Sequence, residues 1–261
     1  MTTATASQAS LLSLLHDQRL LKVIAGIGNT DMDNVSMVLS AANAAHAVAV
    51  DVAATPEIVS MARAATPAIL FASSIEPQAL AQAVDLGADV VELGNYDVLY
   101  PQGIYLSEVD VLRLAHETTT LVGDRAAISV TIPGHLAADA QVRLAKALEA
   151  LGITLIQTEG AARMVAATPT VKSLTTAEKA SMTLANTRTL ASATSLPVLA
   201  ASGMSADTVA EALAAGACGI GLGRVVNQCG THAEMVQAIS ATQAAFDAVL
   251  AEVARPVAMA M

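Results

Sequence analysis

The chain has 261 residues, a formal charge of −10, 54% hydrophobic residues and only 2% aromatics, with no Trp. This much apolar surface excludes intrinsic disorder, and the acidic balance offers no electrostatic basis for generic nucleic-acid binding. A mean hydropathy of +0.55 raises the question of a membrane. However, the long charge-free stretch Thr189–Ala206 carries Ser, Thr and Gly and breaks at Pro197, so it makes a poor span.

Met1–Ser13 lacks a basic residue and reads poorly as a signal or transit peptide. Leu11–Arg19 predicts a short helix. Apolar strand-like runs then recur at Leu21–Ile27, Ala47–Ala53, Ala68–Ser73, Asp89–Leu93, Ala127–Ile132, Ile153–Thr158, Pro197–Ala201 and Cys218–Leu222. Short apolar runs of this kind suit parallel strands covered on both faces. Helical segments separate them. Asp33–Ala45 opens on an Asp suited to an N-cap, and Pro56 and Pro77 fall in first turns beside acids. Several helices end on Gly, as at Gly87, Gly152 and Gly216, where a left-handed residue releases the chain into the next strand. Thr231–Ala254 predicts a long terminal helix. Eight β-α units in a chain of this length predict one (β/α)8 TIM barrel over residues 1–261, with residues 1–20 closing its bottom. An open doubly wound sheet is the runner-up, disfavoured because no early G-x-G-x-x-G follows the first strand.

Alternation sorts the polar residues within the strands. With Val23, Val50, Val91, Leu93, Val130 and Ile156 on the outer face, Lys22, Asp51, Glu92, Ser129, Thr131, Gln157 and Glu159 point inward. Glu159, Glu92, Asp51 and Lys22 are therefore the catalytic candidates, because carboxylates beside an amine can be tuned for proton transfer. Lys22 lies early in its strand, so a structural ion pair in the lower barrel fits equally well. Thr131, Gln157, Asn95 and Tyr96 are the substrate-binding candidates.

The seventh and eighth units end in Ala201-Ser202-Gly203-Met204-Ser205 and Gly219-Ile220-Gly221-Leu222-Gly223-Arg224. Barrels commonly bind phosphate between these two loops through backbone N–H groups. Ser202, Gly203, Ser205, Gly221, Gly223 and Arg224 are thus the phosphate-binding candidates; tight-turn chemistry alone is the bland alternative. The loop Gly94–Ser107 holds all three tyrosines, Tyr96, Tyr100 and Tyr105, and suits a lid or a subunit contact. Gly160–Thr176 carries Arg163 and Lys172, suited to recruiting an anion. His135 is the one histidine in a loop at the functional face. No Cys/His spacing suggests zinc or another metal. Cys218 and Cys229 form no disulfide framework, and Cys218 sits in an apolar run as a buried thiol would.

Seven phrases, from Lys22-Val23-Ile24-Ala25-Gly26 to Ala201-Ser202-Gly203-Met204-Ser205, carry a wider resemblance. Between them lie Val50-Asp51-Val52-Ala53, Ser73-Ser74-Ile75, Glu92-Leu93-Gly94-Asn95-Tyr96-Asp97, Thr131-Ile132-Pro133 and Gln157-Thr158-Glu159-Gly160. Together they resemble the conserved chloroplast reading frame twenty-three family of plastids and cyanobacteria, over roughly Lys22 to Arg224. The resemblance implies an uncharacterised β/α barrel of photosynthetic lineages and carries no activity with it. Gly134, between Pro133 and His135, departs from the family pattern. More distantly, the last two units look like those of phosphosugar epimerases and thiazole-synthase-type barrels, an analogy of fold alone.

The expected function is binding of a small phosphorylated metabolite at the carboxyl mouth, with acid/base chemistry of an isomerase, epimerase or lyase type. A non-catalytic metabolite-binding or regulatory barrel and a flavin-binding barrel are the alternatives; the cofactor is unknown. The expected partners are that metabolite and, by default, a second copy of the chain, with no nucleic acid and no membrane. The expected location is the cyanobacterial cytosol, or the stroma for plastid members.

Overall fold

Eight apolar runs become eight parallel strands that close on themselves in sequence order, β1 pairing with β8. The computed structural model describes residues 6–160 and 174–253. The strands are β1 (Leu20–Ile24), β2 (Ala49–Ala53), β3 (Ile69–Ser74), β4 (Val90–Leu93), β5 (Ala127–Thr131), β6 (Leu155–Gln157), β7 (Val198–Ala201) and β8 (Gly219–Leu222). Helix α1 (Ala6–His16) precedes the barrel. Helices α2 (Met32–Ala44), α3 (Pro56–Ala65), α4 (Pro77–Asp85), α5 (Glu108–Val122), α6 (Ala138–Ala150), α7 (Thr176–Ala191) and α8 (Val209–Ala214) follow β1 to β7 in turn. The short α9 (Arg224–Asn227) and the long α10 (His232–Val253) follow β8.

The caps explain where the helices begin. Asp31, not Asp33, caps α2: its side chain accepts from the N–H groups of Asp33 and Asn34. Asp33 is therefore a first-turn acid, favourable against the helix dipole. Ser107 and Thr175 cap α5 and α7 with the reciprocal side-chain bond returned by Asp110 and Glu178. Such caps contribute about 1 kcal/mol each.

Alternation along the strands divides the interior into two cores. Val23, Val50, Leu70, Val91, Val130, Ile156 and Ile220 face outward and are covered by the helices. Leu20, Ala49, Phe71, Val90, Ala127, Leu155 and Leu199 face inward and fill the lower barrel. Leu11 and Leu15 of α1 are buried in that same inner cluster, so the N-terminal helix plugs the bottom. The barrel is narrow where β8 meets β1. A Cβ on Gly219 would lie 2.0 Å from the Leu20 carbonyl oxygen, so only glycine fits. Cys218 belongs to the inner cluster, and burial pushes its thiol up to about 12.

On the outer wall α10 lies against α2 and α8 and buries Met235, Ile239 and Phe246. No helix among the described residues is long and apolar enough to cross a membrane. The high hydropathy is accounted for by strands buried on both faces beneath alanine-rich helices. From bottom to top, the barrel thus holds an apolar plug, a buried polar layer and an open mouth.

Candidate functional site

The mouth holds a cavity of about 220 Å³ at the carboxyl ends of the strands. Its walls come from the end of β1, the loop after β4, the end of β6, the start of α7 and the loops after β7 and β8. Of the residues singled out in the sequence, Asn95, Gln157, Glu159, Ser202, Gly203, Gly223 and Arg224 line it.

The loop after β7 is held in an unusual shape. Ser202 and Gly203 both have positive φ, 82° and 78°. For Ser202 this is a sparsely populated conformation that persists only under outside support. Thr183 of α7 supplies part of that support, its hydroxyl donating to the carbonyls of Ala201 and Ser202 at 2.9 Å each. Gly203 is required twice over, by its φ and because a Cβ there would come within 2.5 Å of the Ala180 nitrogen. On the other side, α9 opens at Gly223, so the N–H groups of Arg224 and Val225 have no acceptor inside that turn. Asn227 ties the same turn to β1, donating to the carbonyls of Ile24 and Ala25 at 3.0 and 3.3 Å.

Two phosphate-loop candidates fall outside this cavity wall. Ser205 is turned into a cap: its N–H donates to the Thr208 hydroxyl at 2.9 Å. Gly221 stands level with Lys22 and Ala201 in the sheet, and a Cβ there would meet Ile24 at 2.8 Å and Ala201 at 3.1 Å. Its smallness lets Ile24 and Ala201 pack closely over it, and it does not itself line the cavity.

Glu159 is buried in the wall and gathers three donors from two loops. Its Oε1 accepts from the Asp97 N–H at 2.7 Å; its Oε2 accepts from the Tyr100 hydroxyl at 2.5 Å and the Gly134 N–H at 3.2 Å. Burial, with the Asp97 carboxylate adding to it, pushes the Glu159 carboxyl up to about 7. The tyrosine loop is thereby pinned down. Its residues form two 3-10 turns, Tyr96–Val98 and Tyr100–Gln102. Tyr100 stacks on Tyr105 with centroids 4.9 Å apart, and its oxygen lies 3.1 Å from His135 Nδ1. Burial lowers the His135 pKa. Tyr96 does not reach the cavity: it is fully buried in the outer core, with its hydroxyl donating to the Leu93 carbonyl at 3.3 Å. The loop is divided: Asn95, Asp97 and Val98 wall the cavity, Tyr96 and Tyr100 are buried, and Pro101–Ile104 are exposed.

Beneath the cavity floor lies the polar layer. Lys22 Nζ is 2.5 Å from Glu92 Oε2 and 3.6 Å from Asp51 Oδ2, and all three side chains are inaccessible to solvent. Phe71 closes the layer from below, its ring centroid 4.8 Å from the ammonium. Asp51 also accepts from Ser73 at 2.5 Å. Burial pushes the Asp51 carboxyl up to about 6, against the opposing pull of Lys22. Glu92 collects further donors from Ser129, Asn95, Thr131 and Gln157, at 3.0, 3.1, 3.4 and 2.8 Å. None of Lys22, Asp51, Glu92 and Thr131 lines the cavity. The lower-barrel ion pair is the arrangement found, and an amine sealed between two carboxylates is not placed for Schiff-base chemistry with a ligand at the mouth. Glu92 reaches the mouth only through Asn95 and Gln157, which it orients.

Comparisons with known proteins show the family and the fold. A family model described as "Protein of unknown function (DUF561)" matches residues 6–251. The chain belongs to the DUF561 family. Relatives within reach are the uncharacterized protein ycf23 of Cyanophora paradoxa, 33% identical over 229 residues, and that of Antithamnion sp., 34% identical over 225 residues. The first alignment covers 87% of this chain and 93% of the relative, the second 84% and 81%. The resemblance to the plastid reading-frame family therefore stands. Among solved structures the chain is similar to a 3-hexulose-6-phosphate synthase, with a TM-score of 0.58 at 16% identity, covering 86% of this chain and 98% of that one. It is also similar to a thiamine phosphate pyrophosphorylase from Pyrococcus furiosus, with a TM-score of 0.56 at 18% identity, covering 90% and 99%. At these identities the DUF561 chain shares the barrel fold with them.

The cavity of this chain also contains residues the sequence pattern did not single out. Asp97, Lys179 and Asn227 all line the cavity. Lys179 Nζ stands 3.8 Å from Asp97 Oδ2. Asp97 sits two residues beyond Asn95 in the tyrosine loop, and Lys179 lies in the first turn of α7, just past the Gly160–Thr176 loop. Asn227 gave no signal, because its role depends on how α9 folds back onto β1. Arg163 and Lys172, expected to recruit an anion, lie outside the described residues.

Proposed function

We propose that this chain binds a small phosphorylated metabolite at the barrel mouth, in the cytosol or stroma, and catalyses acid/base chemistry of an isomerase, epimerase or lyase type. The observation that carries the reading is the shared cavity. One small space of about 220 Å³ is lined by the strained Ser202–Gly203 loop, the opening of α9, two cations and a carboxyl raised to about 7. The anion end would use the N–H groups at Gly203 and Arg224, with Arg224 and Lys179 adding charge-assisted contacts. Glu159 is the acid/base group, because a carboxyl with a pKa near neutrality holds and releases a proton at working pH. Asp51 and Lys22 serve as the buried counter-charges, and Glu92 as the positioning residue for Asn95 and Gln157. The similar barrels, one a 3-hexulose-6-phosphate synthase and one a thiamine phosphate pyrophosphorylase, lend support through shared architecture alone.

A second reading is favoured by one observation. Both Glu159 oxygens already accept bonds from Tyr100, Asp97 and Gly134, as in a structural clasp. On that reading the chain binds its ligand without turning it over. Titration calorimetry with inorganic phosphate tests the shared part: wild type binds and Arg224→Ala binds at least about tenfold more weakly, as expected on losing a charge-assisted contact. Equal binding by both would refute the anion site. Glu159→Gln then separates the two readings, because it removes turnover of a retained ligand on the first and leaves only binding on the second.

A further inference from the structure

Two buried acceptors at the cavity have no donor. Gln157 Oε1 and Asn227 Oδ1 are buried without a hydrogen-bond partner, and both residues line the mouth. Neither amide can be turned round to relieve this. The Asn227 NH₂ group donates to two backbone carbonyls, those of Ile24 and Ala25, which can only accept. The Gln157 NH₂ group donates to Glu92 Oε1 and Asn95 Oδ1, each at 2.8 Å. Asn95 is fixed in its turn, since its own NH₂ group donates to Glu92 Oε1 at 3.1 Å and Ser73 Oγ at 3.3 Å. The ionic layer thus locks the carbonyl of Gln157 outward from Glu92.

That carbonyl is aimed at the floor. Gln157 is 1% exposed, and its Oε1 lies 3.7 Å from where a Cβ on Gly221 would stand. The same missing Cβ would touch Ile24 and Ala201, both of which line the cavity. Ile24 and Ala201 already crowd that position, so only glycine fits beside the acceptor on this side of the cavity wall. A buried carbonyl without a donor costs free energy, and a molecule that brings the donor recovers it.

We infer that the ligand is a polyhydroxylated monophosphate, whose hydroxyl groups donate to Gln157 Oε1 and Asn227 Oδ1 while its phosphate occupies the Gly203–Arg224 end. This inference deepens the anion-binding reading proposed above and rests on it. The two acceptors select against ligands of the same size that lack hydroxyl donors, because such ligands leave both carbonyls unpaired.

Titration calorimetry of the full chain with four probes tests it: inorganic phosphate, propyl phosphate, ribitol 5-phosphate and ribitol. The expected order has ribitol 5-phosphate binding at least about tenfold tighter than propyl phosphate, the penalty for an unpaired buried acceptor. In Gln157→Met that advantage shrinks while the affinity for inorganic phosphate is kept. Equal affinity for ribitol 5-phosphate and propyl phosphate overturns the inference and leaves the anion site standing. Binding of ribitol as tight as its phosphate overturns the anion reading and keeps the donor requirement. Absence of binding by all four overturns both. The comparison within wild type needs no variant, so a fold failure of Gln157→Met does not blunt it.

Discussion

Replacing Lys22 with Met is the sharpest test of how the barrel interior is held. The side chain is similar in length, so the perturbation is loss of a buried charge rather than loss of volume. At an effective dielectric of about 20, charges 2.5 and 3.6 Å apart attract by about 7 and about 5 kcal/mol in gross terms. Desolvation of the three groups offsets most of that. The net cost of removing the cation alone is therefore about 3–5 kcal/mol, set by two carboxylates left buried without a counter-charge. The cost must also depend on pH. Asp51 is already raised from 3.8 to about 6, and Lys22 is what restrains it from rising further. A carboxyl raised in the folded state contributes stability that is full below its unfolded value and lost as pH climbs through its folded value. Without Lys22 that folded value is higher, so the gap between Lys22→Met and wild type is smaller at pH 5 than at pH 8. Equilibrium urea unfolding at the two pH values measures both effects. A loss below about 1 kcal/mol, the same at both pH values, is what an exposed pair gives and would refute the buried network.

Glu159, raised from 4.5 to about 7, contributes about 3 kcal/mol in the same sense: full below pH 4.5 and lost as pH rises through 7. Glu159→Gln should therefore flatten the fall of Tm between pH 5 and 8, and an unchanged slope counts against the assignment. Tyr100→Phe removes a donor that pulls the Glu159 carboxyl down, so thermal melts across pH should show the Glu159-linked loss of stability moved to higher pH. Gly203→Ala forces a Cβ to within 2.5 Å of the Ala180 nitrogen at positive φ, and should cost about 2 kcal/mol or more together with phosphate binding. A variant that melts like wild type and still binds phosphate would show that this loop adapts freely.

The barrel was legible because a parallel strand buried on both faces leaves a period in the sequence. Runs such as Ala47–Ala53 and Asp89–Leu93 occur at β-α spacing and hold β2 and β4, and alternation alone put Lys22, Asp51, Glu92 and Gln157 inside. What alternation cannot supply is height along the barrel axis. That is why the catalytic candidates divided: Glu159 lies one step above the last residues of β6 and reaches the mouth, while Lys22, Asp51 and Glu92 meet below it. The tyrosine loop was legible in part. Three aromatics marked it out, and its Asn95, Asp97 and Val98 wall the cavity, while Tyr96 turns back beneath the helices and Tyr100 is held by Glu159. Both outcomes depend on the left-handed turn at Asn95, which no spacing announces. Asn227 was invisible for a related reason, since its value comes from carbonyls of β1 some 200 residues away in the chain.

Native mass spectrometry of the freshly purified protein tests the central claim most directly. A small phosphorylated metabolite retained by wild type and lost from Gly203→Ala and Arg224→Ala is the predicted result. A retained molecule without a phosphate group, or one held equally by all three proteins, would contradict a phosphate site at the mouth of this barrel.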